Sequence, residues 1–243
     1  MIVANVRSQL TREDVALALA LVAQHGASAR ERSETALREQ GLDALLDDPQ
    51  LVAALLETPR GGHASLPLFA YVLVRQALVQ DGERDRVLAD YAAAILLHFG
   101  LGDRAHRVAE HDDETFDSLA GLVAAVEGPD PRRNFLVMAH LGNYALWLSG
   151  MFPDHIAFRR HRRGGPDLDY FEQLGRRGFT MAAEHRMANE YGLGLLFARA
   201  AARFPVMRVA LNRISDELLF PNRHSPDRLM RQVRDDSRWR HPE

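Results

Sequence analysis

PRRNFLVMAHLGNYALWLSGMFP, residues 131–153, is the stretch that decides how this chain folds. From Asn134 to Pro153 it carries no Asp, Glu, Lys or Arg. A membrane span needs about 20 apolar residues in succession. This run is interrupted by Asn134, His140, Gly142, Asn143, Ser149 and Gly150. It therefore reads as the buried central helix of a globular protein, with the other elements packed around it.

The flanks support that reading. Gly128-Pro129 breaks the chain before the run. After it, residues 153–165 are rich in arginine and end in Gly164-Gly165-Pro166, the clearest loop signal. Further out, apolar residues recur three and four apart, the mark of amphipathic helices. Such helices are expected after a Thr11–Asp14 capping box, at 29–40, from Asp48-Pro49, and at 66–80 and 84–99. Asp112, Asp113 and Glu114 place acid at the start of a helix expected to run to about Glu127. Beyond the loop, helices are expected at 167–190, 193–203, 206–219 and 226–236. No alternating strand pattern or internal repeat is present. The expected fold is all-α, an irregular bundle of about ten helices around residues 131–152. It reads as one domain, 1–243, loosely divisible into an acidic part, 1–128, and a more basic part, 129–243.

Composition narrows the function classes. The chain has no cysteine, which excludes disulfides, thiolate metal sites and cysteine nucleophiles. The opening residues to Arg7 lack a long apolar region, so no signal peptide is expected, and the protein reads as soluble and cytoplasmic. Every basic side chain is arginine, as a GC-rich genome favours. Net charge is −3, but residues 153–243 hold 17 Arg against 12 acids, and residues 1–152 hold 13 against 21. The asymmetry suggests a basic face in the second half. It is too small to point to nucleic acid.

Three groups of residues are able to carry chemistry. Asp103, His106 and Glu110 would share one face of a helix, and His111, Asp112 and Asp113 follow directly. With His140 and His185 on other helices they outline a transition-metal site, although the Glu-x-x-His pair of di-iron bundles is missing. The competing reading is a solvated charged segment. His140 and Asn143 sit in the apolar run, where a polar group needs partners. They would line a ligand pocket or make internal hydrogen bonds. Arg159, Arg160, Arg162 and Arg163, with His161 between them, form the densest basic cluster. It suits a phosphate or an acidic partner, and Arg132-Arg133 and Arg176-Arg177 are candidates to join it. Tyr170 and Phe171 read as helix core. No phosphate loop, dinucleotide fingerprint or nucleophile elbow is present.

Gly142-Asn143, Ser149-Gly150-Met-Phe152-Pro153, Asp167-Leu-Asp169-Tyr170-Phe171 with Gly175, and Arg203-Phe204-Pro205 together resemble an uncharacterised bacterial all-helical family. Its pattern is Gly-Asp/Asn, an apolar stretch, Ser-Gly-x-Phe-Pro, then Asp-x-Asp-Tyr-Tyr-x-x-x-Gly and Arg-Phe-Pro. Here Phe171 replaces the second Tyr, and Asn143 replaces the commoner Asp. The resemblance spans roughly residues 130–215 and implies no activity.

The sequence thus favours a non-catalytic binding or regulatory protein that uses Arg159, Arg160, Arg162 and Arg163 on a protein or small anionic ligand. The alternative is a helical-bundle metal- or cofactor-dependent enzyme using Asp103, His106, Glu110, His111 and His140. No motif implies a cofactor, nucleic acid is disfavoured, and oligomeric state is open.

Overall fold

The computed structural model describes residues 1–100, 102–109, 114–116 and 118–240, with the backbone alone at 25, 27, 102, 103 and 237–240. Among these residues there are thirteen α-helices and no strand. The only β-type pairing among them is an isolated bridge between Arg107 and Thr115. The all-α expectation holds. Ten of the helices have seven residues or more.

The chain forms two compact units. One comprises residues 3–80 and 84–97, the other residues 1–2, 81–83 and 98–243. The division falls near residue 97, earlier than the composition change at 128.

The first unit contains α1 (Arg12–Val22), α2 (Ala27–Gln40), α3 (Leu42–Leu46), α4 (Pro49–Glu57), α5 (Leu66–Gln80) and most of α6 (Arg86–Phe99). α1 begins with the expected capping box: Thr11 Oγ1 accepts from the Asp14 N–H, and Asp14 accepts from the Thr11 N–H. Asp48 caps α4 through the Gln50 N–H. A charged cluster is built into this unit. Buried Arg75 and exposed Arg86 both donate to Asp47, and Arg7 donates to Asp43. Burial pushes the adjacent Tyr71 hydroxyl up to about 12, against the pull of Arg7 and Arg75.

The second unit is organised around α8 (Pro131–Met151), with α10 (Leu168–Glu184) and α12 (Gly194–Ile214) packed on it. Small residues make this packing close. A Cβ on Gly178 would lie 2.7 Å from the Gly142 backbone nitrogen, so α8 and α10 meet backbone to backbone. A Cβ on Gly175 would collide with the Phe204 ring of α12. The last carbonyls of α8, left without intrahelical donors, are met by side chains. Asn212 donates to the Ser149 and Gly150 carbonyls at 2.7 Å each, and Ser215 donates to Met151 at 2.7 Å. A Cβ on Gly142 would strike the Phe179 ring and one on Gly150 the Leu211 side chain, so close packing gives a physical reason for Gly142, Gly150, Gly175 and Phe204 in the sequence motif.

Around this core lie α7 (Leu119–Ala124), α9 (Pro153–Arg163), α11 (Arg186–Glu190) and α13 (Pro226–Arg240). Several boundaries differ from expectation. The helix expected from Asp112 begins only at Leu119, where the Ser118 hydroxyl accepts from the Gly121 N–H. The arginine-rich stretch 153–163 is a helix, not a loop. Pro153 sits in its first turn, Asp154 follows, four basic residues fill its last turn, and Gly164 ends it at φ 64°. That order suits the helix dipole. The expected helix at 167–190 is split at His185, which turns extended and caps α11 through its Nδ1. The expected helices at 193–203 and 206–219 are one helix to Ile214, followed by a π turn. Pro205 lies inside it, and a helix-interior proline costs about 3 kcal/mol. Full burial of Phe197, Phe204, Met207 and Leu211 offsets that. No single helix among the described residues is long and apolar enough to cross a membrane.

Candidate ligand-binding cleft

α8 carries His140, Tyr144 and Trp147 at i, i+4 and i+7, which puts three rings on one helix face. They form a ladder. His140 stacks on Tyr144 at 5.9 Å, and Tyr144 stacks on Trp147 at 6.0 Å. At Phe152 the chain turns by 89° into α9, and the Phe152 ring meets Trp147 edge-on at 5.0 Å. The turn sets α9 across the end of the ladder. α10 then begins at Leu168, with Asp167 as its N-cap on the Tyr170 N–H. Between these elements lies a cleft of about 450 Å³.

Tyr144, Trp147, Phe152, Tyr170 and Phe171 supply its rings, with Leu119, Leu148, Ile156 and Pro166 between them. Its polar groups among the described residues are His106, Ser118, His155 and Arg159, together with the tyrosine hydroxyls. Tyr170 is 37% exposed, so it is part of a cleft wall rather than the helix core expected from the sequence.

The four arginines of α9 diverge. Arg159 reaches the cleft. Arg160 turns away to Asp167 at 3.8 Å, and His161 pairs with Asp227 at 3.1 Å. The Arg162 guanidinium lies over the Phe158 ring, 5.5 Å from its centroid. Arg163 is exposed. Arg132 and Arg133 begin α8, so its 21 residues hold them about 30 Å from α9. Arg133 pairs with Glu114 instead. The basic face expected in the second half is also diminished, because Arg208, Arg228 and Arg231 are buried in ion pairs with Asp235, Asp154 and Asp216.

The metal-ligand set is described only in part. Glu110, His111, Asp112 and Asp113 lie outside the described residues, as does the Asp103 side chain. The helix that would align Asp103, His106 and Glu110 is a 3-10 turn, Gly102–His106, followed by irregular backbone. Gly100 and Gly102 flank its start and disfavour an α-helix. His140 is buried and donates from Nε2 to the Ala105 carbonyl at 3.0 Å. Burial draws its ring down to about 4, the Ala105 bond opposing, so the ring is neutral near pH 7. The Phe116 carbonyl 3.2 Å from His106 Nδ1 places the proton on that nitrogen. His185 belongs elsewhere, stacked on Phe135 at 5.4 Å. Among the described residues no three His, Asp or Glu side chains are grouped to hold a metal ion.

Phe152, Tyr170 and Phe171 stand in the sequence motif, but the motif assigns none of the cleft's rings a binding role. The signal that finds them is the i, i+4, i+7 spacing of rings on α8, followed by a ring on each side of the Pro153 turn. Comparison with known proteins gives no family match, and no match to a curated protein or to a solved structure.

Proposed function

We propose that this protein is a non-catalytic binding protein whose ligand is a small, largely apolar molecule held in the cleft between α8, α9 and α10. The observation that carries this reading is the convergence of five aromatic side chains, from α8, α10 and the turn between α8 and α9, on one concavity of about 450 Å³. Ligand sites are typically concave, apolar and lined by rings with a few polar groups, in the range of about 300–1,000 Å³. The rings are held by rigid elements: α8 is anchored at its C-terminus by Asn212 and Ser215, and α10 by its contact with α8. The cleft is therefore shaped before a ligand arrives, which lowers the ordering entropy of binding.

A titration with the neutral fluorescent probe N-phenyl-1-naphthylamine tests this. One saturable site is expected. Ala120→Trp, which fills the cleft from an exposed position on α7, should abolish it without unfolding the chain. Absence of saturable binding, or binding indifferent to that substitution, would remove this reading.

A further inference from the structure

The charge pattern of the cleft goes further than its shape and rests on the reading just given. Arg159 is the one formally charged side chain among the described residues of its wall, and no carboxylate faces it there. Its neighbours on α9 show why this matters. Arg160 has Asp167, His161 has Asp227, and Arg162 lies on Phe158, whereas Arg159 has no acidic partner among the described residues. A guanidinium in an aromatic cleft, without a counter-charge among the described residues, is complementary to one anionic group. His155 stands four residues before it on the same face of α9 and also lines the cleft. The two side chains present N–H donors about 5–6 Å apart at Cβ, a span that a carboxylate or sulfonate head can bridge.

We infer that the ligand is a planar, ring-bearing monoanion. Its acidic head meets Arg159 and His155, and its ring body lies against Trp147, Tyr170 and Phe171. One guanidinium balances one charge, so a dianion such as a phosphate monoester fits less well. The flat side chains of the wall offer faces and edges to a ring, where an alkyl chain would gain only area.

Trp147 supplies the readout. The chain has two tryptophans, and Trp239→Phe leaves Trp147 as the sole emitter. In that background, quenching is titrated with 1-naphthoate and with 1-naphthalenemethanol, which share a ring body and differ in the charge of the head. A charge-assisted hydrogen bond predicts 1-naphthoate binding about 10–100-fold tighter. Arg159→Gln should lower the affinity for 1-naphthoate by that factor and bring the two probes level, and Arg159→Lys should restore part of the difference. Equal affinity of both probes for the unsubstituted cleft would overturn the anion assignment while leaving the cleft as a binding site. A preference that survives Arg159→Gln would overturn it as well, because the head would then sit elsewhere. Binding of neither probe would bring down the cleft reading itself.

Discussion

α8 buries Phe135, Val137, Leu141, Ala145 and Leu146, the residues that hydropathy assigns to a core. α13 does the reverse. It buries Arg228, Arg231 and Asp235, and it leaves Leu229, Met230 and Val233 at 62%, 68% and 56% exposure. Both patterns are helical and both carry apolar residues at three and four apart. What separates them is the surface each one meets. α8 meets glycines and rings on α10 and α12, where backbones close to contact. α13 meets charges already set into the bundle. Arg228 donates to Asp154, Arg231 donates to both oxygens of Asp216, and Asp235 accepts two bonds from Arg208. Periodicity identifies an amphipathic helix, but the inward face is chosen by its partners.

The comparison is broken most sharply at Arg208, which is fully buried and joins the two regions. It donates to Asp235 on α13, to Glu172 on α10, and to Asn212, whose amide in turn caps α8. Arg208→Met strands the Asp235 carboxylate in the interior, so urea denaturation should show a loss of about 3–5 kcal/mol. Adding Asp235→Leu should recover much of that, since two apolar groups replace a pair rather than orphan one member. A double variant no more stable than the single one would mean that the ion pair does not hold α13.

Next in size is the backbone contact. Gly178→Ala would set a methyl group 2.7 Å from the Gly142 nitrogen and 3.0 Å from the Met138 carbonyl oxygen. Both neighbours are main chain and cannot rotate away. The expected destabilisation is about 2–3 kcal/mol, measured as a shift of the urea midpoint at unchanged slope. An alanine chain as stable as the parent would disprove the close approach of α8 and α10.

These two regions also explain how much of the molecule is legible in the sequence. The all-α class, the central helix at 131–151 and the Thr11–Asp14 capping box are read directly, because local propensity and the folded structure agree there. At 153–163 the arginine content masks local helix signals, Pro153 in the first turn and Gly164 at the end. In two other places a long-range partner decides: Phe204 against Gly175 carries the helix through Pro205, and Asp235 against Arg208 turns the charged face of α13 inward. The cleft was hidden for the same reason. Its rings come from α8, the 152–153 turn and α10, and no window of sequence shows that they converge. The arginine cluster was visible, but the helical spacing that sends Arg159 one way and Arg160 and Arg162 others becomes meaningful only once residues 153–163 are known to be a helix.

α8 holds one histidine, and its behaviour sharpens the contrast with the ion pairs beneath α13. Burial draws His140 down to about 4, below its ordinary 6.5. The unfolded chain therefore takes up the proton first as pH falls, and stability present above about 6.5 is lost on the way toward 4. At pH 4.5 this single group should account for roughly 2–3 kcal/mol. His140→Gln keeps an N–H for the Ala105 carbonyl and does not titrate. Its stability relative to the parent chain should thus improve by that amount between pH 7.5 and 4.5, measured by denaturation at both values. Parallel pH profiles would show that His140 is not held neutral in the fold.

The smallest expected effect is the most direct test of which way α13 faces. Leu229, Met230 and Val233 lie on one side of that helix, and their side chains are largely in solvent. Replacing all three with serine removes apolar surface that the fold does not bury, so only helix propensity is lost, a few tenths of a kcal/mol in all. Leu141→Ala on α8, a single fully buried change, should by contrast cost about 2–5 kcal/mol through the cavity it leaves. The prediction is an inversion of what hydropathy implies: three apolar losses on α13 weigh less than one on α8. If the triple serine chain unfolds at markedly lower urea, the apolar face of α13 is the packed one. Arg228, Arg231 and Asp235 would then have to lie outward, and the ion-paired docking of this helix would be wrong.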